Sequence, residues 1–178
     1  ELHHHRGCSL EDVRAIYAFD DQAKLFPGLY DAYSRTYLSG QLCFQAGTCA
    51  SLDYELALLD SVMGTQLSYT LRTQMRGPKT SEPQATFFTS RSWMTNPAHL
   101  QGTMLAFLDE SYSLELFSPH PEGGVVHVHA LWELSGAAIP SLSASFWEQL
   151  YLNTLATWNS RLDALCTTER GLWEPQGR

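Results

Sequence analysis

Two histidines and a glutamate recur at strand spacing in one stretch, Gly123-Gly124-Val125-Val126-His127-Val128-His129-Ala130-Leu131-Trp132-Glu133-Leu134. Successive side chains of an extended strand point to opposite faces. His127, His129 and Glu133 therefore share one face, and Val126, Val128, Ala130, Trp132 and Leu134 share the other. Imidazoles two residues apart stand about 7 Å apart at their Cα atoms, a spacing that suits a shared metal ion. With His99 and His120, the same pair is also a candidate pH switch, because histidine titrates near neutrality. The expected packing puts the Val/Ala/Trp face against a helical layer and the His/His/Glu face toward water or a partner.

The four cysteines are Cys8, Cys43, Cys49 and Cys166. An even count suits two bridges. Cys43 and Cys49 flank a short loop, and Cys8 and Cys166 lie before the first helix and at the end of the last. Four cysteines allow three pairings; a bridge could close the Cys43–Cys49 loop, and one between Cys8 and Cys166 would tie the termini together. No C-x2-C pair exists and no histidine lies near Cys43 or Cys49, which excludes a cysteine zinc site. Disulfides belong to oxidising compartments, so the expected location is extracytoplasmic, periplasmic or secreted.

Other chemistry is poorly represented. The chain lacks a Gly-x-Ser-x-Gly elbow, a P-loop and a Gly-x-Gly-x-x-Gly turn, so neither nucleophilic catalysis nor a nucleotide cofactor is expected. The acidic pairs Glu11-Asp12, Asp20-Asp21 and Asp109-Glu110 fit a helix start, a helix surface and a turn. Eleven basic residues against 19 acidic ones give a net charge of -8 with no basic cluster, which excludes a nucleic-acid footprint. No apolar run reaches the ~20 residues of a spanning helix. The opening Glu1-Leu2-His3-His4-His5-Arg6 reads either as native sequence or as the remnant of an affinity tag, and it is given no function.

The 178 residues fit a single domain, 1-178. Ser9-Leu10-Glu11-Asp12 starts a helix. Leu29, Tyr33 and Tyr37 keep helical spacing, as do Leu52, Leu56, Leu59 and Met63, so a helical part is expected over about 9-63. From Leu67, Tyr69, Leu71 and Met75 the period becomes two. Further strands are expected around Ala85–Trp93, Met104–Leu108, Tyr112–Leu116 and Val125–Leu134, giving a five-stranded antiparallel meander over about 66-135. Phe146, Leu150, Tyr151, Thr154, Leu155, Trp158, Leu162 and Leu165 form the apolar stripe of a long C-terminal helix over about 142-166. The expected class is α+β, with N-terminal helices, the five-stranded β-meander and the last helix packed on the sheet.

Two resemblances follow from these residues. His-x-His-x3-Glu resembles part of the first metal motif of the cupin family, which implies His127, His129 and Glu133 as metal ligands. It departs from that family in its glycine spacing, and everything after Pro140 reads as helix without histidine. The order of curved sheet and long last helix is similar to helix-grip lipid- and hormone-binding domains, by architecture alone. Phe88, Trp93, Trp132 and Trp147 are the candidate binding aromatics, and since Phe87 and Phe88 are adjacent, one of the two must face outward. The expected function is an extracytoplasmic, non-enzymatic binding or sensor domain that engages a protein partner or ligand through an aromatic-rich surface. The alternatives are a carrier for a small apolar ligand between sheet and last helix, and a cupin-like metal-dependent enzyme.

Overall fold

Alternation of period two runs through far more of this chain than helical spacing does. The computed structural model describes residues 1–62, 65–79, 87–101, 106–137 and 144–174. Eight strands form a single antiparallel sheet. They are β1 (Leu2–His5), β2 (Ala32–Ser39), β3 (Ser51–Val62), β4 (Thr65–Arg76), β5 (Phe88–Met94), β6 (His99–Gln101), β7 (Ala106–Pro119) and β8 (Val125–Ala137). Seven follow the order β1-β8-β7-β5-β4-β3-β2, and β6 pairs with β4 off that path.

The α+β class holds, but the expected five-stranded meander and N-terminal helical part do not. Residues 29–37 and 52–62 supply no helix. Tyr33, Arg35 and Tyr37 alternate along β2 with exposed Ala32, Ser34 and Thr36. On β3 the buried positions are Leu52, Tyr54, Leu56 and Leu58. An i, i+4 pair satisfies both periods, and here it is the intervening Arg35, Tyr54 and Leu58 that decide for two. Met63 lies outside the described residues, as do Ala85 and Met104.

The strands expected around Met104–Leu108 and Tyr112–Leu116 are one strand. Between Leu108 and Glu110 the register against β8 shifts. The extra residue is taken up as a bulge, so Asp109-Glu110 does not turn the chain.

Three short helices, α1 (Leu10–Ala18), α2 (Gln22–Leu25) and α3 (Gln41–Gln45), and one long one, α4 (Ala144–Thr167), cover one side of the sheet. Ser9 starts α1 with a capping box closed by Asp12. Arg170 then grips Asp12 at 2.9 Å and the Gly7 carbonyl at 3.1 Å, fastening the turn after α4 to that cap. Val13, Ile16, Leu162 and Leu165 are fully buried against Leu52, Met75, Phe88 and Phe117 of the sheet. Two disulfides, Cys8–Cys166 and Cys43–Cys49, are present.

The two faces of β8 are the reverse of the expected ones. Val128, Trp132 and Leu134 are exposed, at 40%, 57% and 53%, whereas His127 is 2% exposed. Hydrophobicity misleads here because the inward face is a polar wall of the site described next.

Candidate ligand cavity

The sheet curls around a cavity of about 420 Å³ that α4 closes from the other side. Inward positions of β3 and β4 supply its apolar floor through Leu56, Leu58, Leu67 and Leu71. Leu150, Tyr151, Leu155 and Trp158 of α4 form the roof. The i, i+4 spacing of the α4 stripe, read from sequence as a packing face, places these four residues over the cavity while Leu162 and Leu165 go on to the core. Phe26 at the end of α2 lies flat beneath Trp158, 3.9 Å between ring centroids.

Polar groups are confined to defined places on this wall. Arg35 donates from Nη1 to the carbonyls of Tyr17 and Phe19 at 3.2 Å, capping the last turn of α1. Its guanidinium sits 4.2 Å over the Tyr54 ring, and it has no ion pair among the described residues. Burial pushes the Tyr54 hydroxyl up to about 12 although Arg35 pulls the other way. Asp60 accepts a hydrogen bond from the Tyr69 hydroxyl, and its other oxygen is buried without a partner. Burial raises the Asp60 carboxyl above its ordinary value, against the lowering effect of Tyr69.

The third polar place lies where β7 and β8 pass under α4. Glu115 accepts from the Tyr17 hydroxyl, and its Oε2 lies 3.2 Å from His127 Nε2. His127 is stacked on Phe117 at 4.0 Å and bonds Asn159 of α4 through Nδ1 at 3.1 Å. Burial works to raise Glu115, but the neighbouring His127, helped by His129, brings it below its ordinary value. On His129 burial acts the other way and lowers the imidazole, whose two ring nitrogens are buried and unpartnered.

Of the three residues expected as metal ligands, the structure brings His127 and His129 together and leaves Glu133 apart. The carboxylate that joins them is Glu115, which pairs with His129 across the β7–β8 ladder. Glu133 accepts from Ser111 at 3.4 Å further along the strand, and partial burial raises its carboxyl. The signal for Glu115 was present: Ser111, Ser113 and Glu115 make one polar face of β7 opposite Tyr112, Leu114 and Leu116.

The candidate binding aromatics separate. Phe88 is fully buried in the core, and its neighbour Phe87 is the outward one at 52%. Trp93 of β5 and Trp132 of β8 flank Tyr112 of β7 on the outer face of the sheet, each directly paired with it across the ladder. The Trp147 side chain lies outside the described part of the structure. His120 in the β7–β8 turn packs against His4 with the rings tilted and their centroids 4.2 Å apart, and the side chain of His99 is also outside the described part.

Compared by sequence, the chain matches no family description and no curated protein. Compared by fold, it is similar to the human StarD13 (DLC2) lipid transfer and protein localization domain, with a TM-score of 0.53 at 12% identity. The likeness covers 98% of this chain and 75% of that one. At that identity it is a likeness of fold: a curled antiparallel sheet closed by a C-terminal helix.

Proposed function

We propose that this is a non-enzymatic binding domain that holds one small, largely apolar molecule between the sheet and α4. The observation that carries the reading is the cavity itself. Its volume of about 420 Å³ falls within the roughly 300–1,000 Å³ of ordinary small-molecule sites. Leucine and aromatic side chains supply most of its wall, with polar groups at Arg35, Asp60 and Glu115 to orient a guest. The fold shared with a lipid transfer domain supports the same reading, and so does the absence of a recognisable nucleophile motif in the sequence.

Native mass spectrometry tests this. The 20.0 kDa chain should carry a discrete added mass that organic extraction removes, or take one up from a mixture of small lipids. A bare chain before and after such exposure would overturn the reading.

An extracytoplasmic compartment belongs to the same proposal, because two disulfides in one small domain need oxidising conditions. Four free thiols in protein from its native source would overturn the location.

A second reading rests on the outer face. Trp93, Tyr112 and Trp132 form a cross-strand row there, continued by Leu134, and aromatic side chains of this kind are enriched at protein interfaces. A protein partner bound on this row should be lost with Trp132→Ser and kept when the cavity is filled. The opposite pattern would remove this reading.

A further inference from the structure

Glu115, His127 and His129 form a group whose ligand atoms all lie within 4.8 Å of one another. His127 is nearly inaccessible, and the Glu115 side chain is only 12% exposed. The Nε2 of His127 faces Glu115 Oε2 at 3.2 Å, yet it makes no hydrogen bond of acceptable geometry. Asn159 donates its amide to Glu1 at 3.1 Å, which leaves its carbonyl oxygen to accept the Nδ1 proton of His127. With that proton placed, Nε2 is the ring's remaining polar atom, and it faces a carboxylate. Only a second proton or a bound cation makes this contact favourable. Beside it, His129 offers two further buried nitrogens without partners.

We propose that Glu115, His127 and His129 bind one divalent transition-metal ion of the zinc class, with the remaining coordination position open to the cavity. Donors of a four-coordinate site with metal–ligand distances of ~2.0–2.1 Å lie roughly 3.3 Å apart. The His127–Glu115 pair already has that separation, at 3.2 Å. His129 needs to close by at most about 1.5 Å from a 4.8 Å group, within reach of a small ring rotation.

The surroundings suit a ligating set. Asn159 orients His127 through the ring nitrogen that does not face the ion, and Tyr17 holds the Glu115 carboxylate. Glu115 and His129 line the cavity, so the ion meets whatever the cavity contains. The other imidazole–carboxylate group, His3, His5 and Asp163, differs in that its carboxylate already accepts both rings, at 3.0 and 2.8 Å. The site stands on its donors alone and does not require the cavity's guest to be apolar.

Cobalt is the probe, because a four-coordinate Co2+ site absorbs visible light far more strongly than the hydrated octahedral ion. The full chain, without an added tag, should take up one Co2+ with that absorption and release it to Zn2+. His129→Ala and Glu115→Gln should each weaken binding at least about tenfold, and His3→Ala should leave it unchanged. Circular dichroism establishes that each variant is folded, and Glu115→Gln decides the matter if His129→Ala is not. The proposal is overturned if the absorption never develops, if both variants bind as tightly as the unmodified chain, or if His3→Ala alone abolishes binding.

Discussion

Trp158 lies flat on Phe26, with ring centroids 3.9 Å apart and planes 6° from parallel. This contact joins α4 to the end of α2 beside the cavity, which Trp158 lines. Trp158 also meets Tyr17 edge-on at 6.0 Å, so a single indole holds helix, helix and site together. Trp158→Ala should cost about 3 kcal/mol of stability in denaturant unfolding and weaken guest binding at the same time. Unchanged stability would mean that α4 is anchored elsewhere.

The two disulfides should differ in weight. Cys8–Cys166 closes a loop over a sequence separation of 158, and Cys43–Cys49 one over a separation of 6. In the chain-entropy account the long bridge contributes ~5 kcal/mol and the short one ~2 kcal/mol. Paired Cys→Ser replacements, compared by thermal unfolding, should show that ordering. Equal losses would count against it.

Asp60 predicts an acid-side pH dependence. Its folded carboxyl titrates above its ordinary value, so between the two the folded chain binds more protons than the unfolded one. The contribution is fully present below the unfolded value of 3.8 and is lost as pH rises through the folded value. Asp60→Asn keeps an acceptor for Tyr69 and removes the charge. It should stabilise the protein at neutral pH by on the order of 1 kcal/mol, with the gain vanishing below the unfolded value. A gain that persists in strong acid would point to another cause.

Gly124 carries the close approach of β1 to the β7–β8 turn. Its φ is +79°, and a Cβ there would lie 2.4 Å from the His5 carbonyl oxygen. Gly123 has a φ of +92° with nothing within 4 Å of its Cβ position. Gly124→Ala should therefore cost more than Gly123→Ala, and more than about 1 kcal/mol. Hydrogen exchange should show the added loss in β1 and its partner residues 125–128. Equal effects would mean that only the positive φ matters.

Some of this was legible in the sequence because it is local. The cap at Ser9, the stripe from Leu150 to Leu165 and the period-two run from Leu67 to Met75 each need only a few neighbours to be read. The rest depended on tertiary context. Spacings of four in Tyr33/Tyr37 and Leu52/Leu56 belong to both helix and strand, and only the sheet's need for inward Tyr54 and Leu58 separates them. β8 was turned inside out because a cavity wall inverts the usual rule: His127 and His129 face inward, while Val128, Trp132 and Leu134 are left outside. Glu115 was missed as the partner of the two histidines because the pairing crosses strands, Glu115 opposite His129, and register is not written in either strand alone.

An apolar guest in the cavity ties sheet, α4 and polar wall into one function. This is tested most directly by titrating a fluorescent fatty-acid analogue into the unmodified chain, Leu58→Trp/Leu131→Trp and Trp132→Ser. Leu58 and Leu131 both line the cavity, whereas Trp132 lies on the opposite face of the sheet. The unmodified chain and Trp132→Ser should bind it saturably. The filled variant, with its fold intact, should lose at least about tenfold in affinity, 1.4 kcal/mol. Undiminished binding to the filled variant, or binding abolished by Trp132→Ser, would contradict a guest in the cavity.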